Sequence, residues 1–215
     1  MADIYAANDN IGKEKLPETS TGLAGNYMAI IGRTYKSTFK SGSGGIVTEF
    51  FLVNRTSDDG SIVHKVMDLG PSGASFIVNK DGSIRIDGVM TRHNCPDPSP
   101  TTGERGKNFM IQIRKRFAKA FAAFDEATGQ VDWTKIQQAA GTLASFTLKE
   151  KDEYLNIDTK TIQINPQQKI SNENLLKLYA DFAAQIEKNK AARGAQSAPL
   201  SAPPPPPVDP DPIPF

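Results

Sequence analysis

The run Tyr27-Met28-Ala29-Ile30-Ile31-Gly32-Arg33-Thr34-Tyr35 and the run Ile46-Val47-Thr48-Glu49-Phe50-Phe51-Leu52-Val53 set the fold class. Both are dense in β-branched and aromatic side chains, which suit a pleated, half-buried surface. Ser41-Gly42-Ser43-Gly44-Gly45 between them supplies a turn, so the pair reads as a β-hairpin. Gly32 interrupts the first run, where an isolated glycine marks a bulge or the bend that a small barrel needs. The glycine cluster lacks the Gly-x-x-x-x-Gly-Lys-Ser/Thr order of a phosphate loop and leads into a strand, not a helix. Two readings stay open for it: a plain flexible hairpin, or a loop that lays backbone N–H groups with Lys36 or Lys40 against a phosphate chain.

Outward from the hairpin, residues 62–67 read as a third strand after the turn Asp58-Asp59-Gly60. Residues 75–78 and 84–89 flank Asn79-Lys80-Asp81-Gly82-Ser83 as a further hairpin. His93-Asn94-Cys95-Pro96-Asp97-Pro98-Ser99-Pro100 is expected to break regular structure. His93 beside Cys95 does not make a zinc site, because His64 is the only other histidine and there is no second cysteine, whereas structural zinc takes four ligands. Phe109, Ile113, Phe117, Ala120, Phe121 and Phe124 recur at helical spacing and predict a helix over 105–127. Arg114, Lys115, Arg116 and Lys119 load its other side with positive charge. Acidic residues at i+4 are missing until Asp125 and Glu126, so a phosphate-contacting face stands beside the plain solvated face. Asp132 is placed to cap a short helix from Trp133. Strands over 142–148 and 154–164 follow, with Asn165-Pro166 ending the sheet. Ser171 then caps a last helix to about Lys190, whose stripe Leu175, Leu178, Tyr179, Phe182 and Ile186 packs on the body or on a second subunit.

The 215-residue chain therefore divides into a flexible leader (1–23), one domain (24–193) and a tail (194–215). The tail holds Pro203 to Pro207 and then Val208-Asp209-Pro210-Asp211-Pro212-Ile213-Pro214-Phe215. Proline lacks an N–H and fixes φ, so this arm is expected to be extended, solvated and disordered. The net charge is +1, and setting aside the tail's two aspartates leaves +3 on residues 1–193, so a nucleic-acid site must be a local groove. A single cysteine gives no disulfide framework, and neither an export signal nor an apolar run of membrane length is visible. The expectation is a cytoplasmic protein without membrane attachment.

The ending resembles the C-terminal tip of bacterial-type single-stranded-DNA-binding proteins, where a Pro- or Gly-rich linker and an acidic run precede Ile-Pro-Phe. Ile213, Pro214 and Phe215 match residue for residue, Asp211 falls in the acidic run, and Asp209 lies near by; Pro210 and Pro212 replace the usual aspartates. More broadly, residues 24–165 look like the single-stranded-DNA-binding proteins of tailed bacteriophages, through Lys40-Ser41-Gly42-Ser43-Gly44 and Glu49-Phe50-Phe51-Leu52. The long segment 69–106 departs from a minimal barrel. The resemblance implies non-sequence-specific binding of single-stranded DNA in a phage replication, recombination or repair system, within the host cytoplasm. It also implies recruitment of replication or repair proteins by Asp209, Asp211, Ile213, Pro214 and Phe215.

The residues fit a mainly β, α+β chain: an oligonucleotide-binding (OB-fold-like) antiparallel barrel with a helix between strands, a C-terminal helix and a disordered tail. Such barrels pair a basic groove with rings on which bases stack. The candidates are Arg33, Tyr35, Lys36, Phe39, Lys40, Phe51, Arg55, Arg85, Arg114, Lys115 and Tyr154. Phe51 shares a side with Glu49 and Arg55 and is favoured to face outward, although Val47 and Val53 lie on that side too. Tyr154 is opposite in parity to Leu155 and Ile157, which favours the outside. No catalytic residue, metal or cofactor is expected. Two rivals are a DNA-processing enzyme, which needs clustered carboxylates, and an adaptor that docks only through its tail.

Overall fold

The computed structural model describes residues 24–39, 42–70, 73–78, 80, 89–98, 102–151 and 154–196. Two long strands, β1 (Gly25–Thr38) and β2 (Gly44–Thr56), form the antiparallel hairpin expected from their composition. Their register shifts twice. Met28 pairs with Asn54 and Ala29 with Leu52, which leaves Val53 as an extra residue on β2. Ile31 pairs with Phe50 and Thr34 with Thr48, so Gly32 and Arg33 together oppose Glu49. This second irregularity is the bulge that Gly32 announced, and it bends the strand and increases its twist.

Around the hairpin, β2 changes partners along its length. Gly45 to Phe51 pair with β6 (Met90–Pro96), and Asn54 to Thr56 pair with β3 (Ile62–Lys65). The near half of β1, Gly25 to Ile30, pairs with β7 (Thr142–Lys151), which in turn holds β8 (Tyr154–Ile157) and β9 (Gln163–Lys169). Strands β4 (Met67–Gly70) and β5 (Gly73–Phe76) make a separate pair. Among the described residues there are three helices: α1 (Glu104–Ala120), α2 (Trp133–Gln138) and α3 (Asn172–Gln196). The architecture is thus mainly antiparallel β with helices, and among the described residues the hydrogen-bonded path runs open from β3 to β8. No helix among those residues is long and apolar enough to cross a membrane.

The core occupies both faces of β2. On one face Phe50 meets Phe146 and Phe117 edge-on, with centroids 5.1 and 6.5 Å apart, and His93 stacks on Phe117 at 4.3 Å. On the other face Phe51 contacts Tyr179 and Phe182 of α3 at 4.8 and 5.6 Å, with Phe76 beside it. Strands covered on both sides read as continuous apolar runs, which is why Ile46 to Val53 lacks clean alternation. The stripe of α3 therefore packs on the body: Leu175, Leu178, Tyr179 and Phe182 are all buried.

Several local expectations hold. Asp132 accepts hydrogen bonds from the N–H groups of Thr134 and Lys135, and Ser171 Oγ accepts one from Asn174 at 3.1 Å. Others are corrected. Phe51 does not face outward; it is fully buried because α3 lies over its side of the sheet. The His93 region is not a break but strand β6, with Pro96 at its last position, where a missing N–H costs no ladder bond. Helix α1 stops at Ala120, seven residues short of the expected end, and Ala122 takes a left-handed φ of 50° in the turn that follows. Only the last turns of α1 reach the core: Phe117 is buried while Phe109 is 60% exposed. The expected strand over 154–164 divides around a turn at Asp158, and β9 runs on through Asn165 and Pro166.

Phe51→Ala is expected to cost about 3–5 kcal/mol in urea unfolding, the loss typical of a large core truncation. A second outcome concerns His93, which burial holds at a pKa of about 4. The unfolded chain takes up that proton near pH 6.5, so the contribution is complete above pH 6.5 and is lost as pH falls towards 4. Unfolding midpoints between pH 7 and 4 should show a destabilisation of about 3 kcal/mol from this group. The variant His93→Leu, which cannot titrate, should flatten that slope relative to the parent.

Candidate nucleic-acid interface

The bulge in β1 is built around one carboxylate. Glu49 projects from β2 on the face that carries Phe51, and its side chain is 1% exposed. A bare carboxylate in that position is strongly disfavoured unless paired and hydrogen-bonded. Four side chains supply the pairing. Tyr179 of α3 donates its hydroxyl to Oε2 at 2.6 Å. Arg33 reaches the same oxygen through Nη2 at 3.3 Å and Nε at 3.4 Å. Arg92 of β6, directly opposite Glu49 in the register, approaches Oε1 at 3.3 Å, and Tyr35 donates its hydroxyl to that oxygen at 3.3 Å.

Backbone geometry makes this cluster possible. The hydroxyl of Tyr179 also accepts the Arg33 N–H at 2.8 Å, one of the backbone groups that the bulge releases from the ladder. Gly32 leaves the space: a Cβ there would collide with the Tyr179 hydroxyl and lie 3.1 Å from Glu49 Cβ. The Arg33 guanidinium lies over the Tyr179 ring at 4.4 Å and near that of Tyr35 at 5.8 Å. Burial first, and the Glu49 carboxylate second, push the phenols of Tyr35 and Tyr179 above their ordinary values. Both therefore remain donors at neutral pH.

Beyond the cluster, the same face continues to the free end of the hairpin. Tyr35 and Phe39 are half-buried there, and Asn94, in register with Val47, is exposed. The Phe39 ring lies over Gly45, where a Cβ would strike it and the β6 backbone. Arg33, Arg92, Tyr35 and Phe39 thus present two guanidiniums and two rings on one side of β1, β2 and β6.

The remaining candidates lie elsewhere. Lys36 is exposed but belongs to the opposite face, in register with Ile46 and Cys95. Arg55 stands at the far end of the hairpin, bound to the Ala24 carbonyl at 2.6 Å. Arg114 is tied to the Pro96 carbonyl at 2.8 Å and to Asp97 at 2.6 Å. Lys115 pairs with Glu126 Oε2 at 3.1 Å, Lys119 pairs with Oε1 of the same residue, and both lysines lie over the Phe124 ring. The expectation that internal pairing does not explain the basic run is therefore corrected. The turn after α1 folds Glu126 back onto the helix, a partner that i+4 spacing does not register. Tyr154 opens β8 opposite Lys151, but its side chain lies outside the described residues, as do Lys40, Arg85, Asp209, Asp211, Ile213, Pro214 and Phe215.

Three members of the cluster escaped the sequence candidates: Glu49, Arg92 and Tyr179. A single acidic residue inside the apolar run 46–53 was the available signal for the first. The chain was compared with protein-family models, curated proteins and solved structures, and none of the three comparisons returned a match.

Gly32→Ala should lower stability by about 1–3 kcal/mol, as overpacking does. In a Tyr179→Phe background, where the obstructing hydroxyl is gone, the same substitution should cost clearly less. Urea unfolding of the two singles and the double variant measures the difference.

Proposed function

We propose that the protein binds single-stranded DNA without sequence preference, taking phosphates on Arg33 and Arg92 and stacking bases on Tyr35 and Phe39. The observation that carries this reading is the convergence of two guanidiniums and two aromatic rings on one face of β1, β2 and β6. Rings accept any base because each has a π-face, and arginines follow the backbone whatever the sequence, so the combination favours single strands of any composition. The connectivity supports it. Strands β1, β2 and β6 pair in that order, helices follow, and β7 returns to β1, an order compatible with an oligonucleotide-binding fold that carries β3 to β5 as an insertion.

The tip Asp209-Pro210-Asp211-Pro212-Ile213-Pro214-Phe215 adds the second half of the proposal. By its resemblance to bacterial-type tips it recruits replication or repair proteins to the coated strand. Two carboxylates with Ile213 and Phe215 suit an apolar pocket ringed by cations on such a partner. In this reading the protein is a phage-type, non-enzymatic DNA-coating factor acting in the host cytoplasm. The basic run of α1 contributes little in this reading, because α1 packs on the Phe50 face of β2, opposite the face that carries Tyr35 and Phe39.

Fluorescence anisotropy of a labelled oligo-dT of about 30 nucleotides, against a duplex of equal length, tests the reading. Single-strand binding should exceed duplex binding and weaken with salt at a slope of about −0.7 per neutralised phosphate. Tyr35→Ala should cost about 1–3 kcal/mol of affinity. Absence of binding to either substrate would overturn the proposal, and equal binding to both would move the site away from the rings.

A further inference from the structure

Helix α3 joins the sheet at the point where the proposed phosphate ligand Arg33 emerges. Three contacts run from one Tyr179 side chain to this place. Its hydroxyl accepts the Arg33 N–H at 2.8 Å and donates to Glu49 Oε2 at 2.6 Å. Its ring lies 4.4 Å beneath the Arg33 guanidinium, which in turn bonds the same Glu49 oxygen. A long, flexible side chain on a strand bulge would otherwise sample many rotamers, and fixing one before the ligand arrives removes that ordering cost from binding. Arg33 is fixed on three sides while its side chain stays 37% exposed. Tyr179 itself is 3% exposed, so it does not meet a DNA strand.

We propose that Tyr179 is a positioning residue for DNA binding: it sets the bulge backbone and the guanidinium of Arg33, so that α3 organises the DNA face although it does not touch the strand. This inference rests on the reading of that face as the DNA interface. Glu49 acts with Tyr179 as the shared anchor that also holds Arg92 and Tyr35. The proposal separates α3 from an ordinary packing helix, whose loosening would lower stability without changing how a phosphate is met.

The test uses the full chain and labelled oligo-dT across a salt series. Tyr179→Phe keeps the ring and every charge, and unfolding curves establish the temperature at which it is folded. Its affinity should fall roughly 3- to 10-fold, the range of one net hydrogen bond. The salt slope should flatten by about 0.7, because one phosphate contact is lost. Arg33→Lys is the second variant. It keeps the charge, leaves the Tyr179–Glu49 bond intact and sits at a partly exposed position, so it reports even where Tyr179→Phe is unstable. It too should lose affinity severalfold, and the double variant should bind no more weakly than the weaker single variant. Wild-type affinity and slope in folded Tyr179→Phe would overturn the inference alone, as would wild-type affinity in Arg33→Lys or additive losses in the double variant. Failure of the parent protein to bind oligo-dT would overturn the functional reading and this inference with it.

Discussion

Removal of the Glu49 carboxylate from water is the constraint around which the surrounding structure is arranged. The side chain is 1% exposed, and the desolvation of a carboxylate is offset only by good geometry and complete hydrogen bonding. The partners come from two strands and one helix: Arg33 and Tyr35 from β1, Arg92 from β6, and Tyr179 from α3. Each answers a different demand. The arginines neutralise the charge, the phenols direct donors at the oxygens, and the bulge at Gly32 and Arg33 releases a backbone N–H to the Tyr179 hydroxyl. Gly32 is needed here because any Cβ would occupy the space of that hydroxyl. The cluster thereby fixes the register of β1 on β2 and the seat of α3 at once.

That seat divides the outer face of the hairpin in two. Under α3 the face is apolar and closed, with Phe51 between Tyr179 and Phe182. Past Glu49 it becomes polar and partly open, with arginines and half-buried rings. The boundary between packing and proposed recognition is the carboxylate itself. Placing cations there has an electrostatic logic: two guanidiniums share one buried negative charge, so the group stays net positive towards an incoming phosphate. On the opposite side of the sheet α1 is basic as well, with Asp97 on Arg114 and Glu126 shared by Lys115 and Lys119, but the rings of Tyr35 and Phe39 are not on that face.

Local signals in the sequence had local outcomes. β-branched density gave the hairpin, Gly32 its bulge, Asp132 and Ser171 their helix starts, and the stripe from Leu175 to Phe182 its burial. Each depends on a few neighbouring residues, so no knowledge of the remaining chain is required. Where a signal was local but misleading, a distant partner explains it. The prolines near His93 suggested a break, yet β2 offered Met90 to Pro96 a complete ladder. The helical period beyond Ala120 was real in spacing, but the chain turned so that Ala123 and Phe124 could face the bridge at Val131.

The sequence by itself determined that this chain makes a long twisted hairpin, a β-rich body and a capped C-terminal helix, because period, turn chemistry and capping act over a few residues. It also brought Arg33, Tyr35 and Phe39 to notice as a basic and aromatic group. Only the tertiary structure decided which rings are covered. Alternation puts Phe51 on the side of Glu49, but burial on that side depends on α3, which begins 121 positions later at Asn172. Likewise, Arg92 and Tyr179 join Glu49 only when β6 and α3 dock. Electrostatic pairing and desolvation are properties of groups brought within a few ångströms, and sequence separation does not measure that distance.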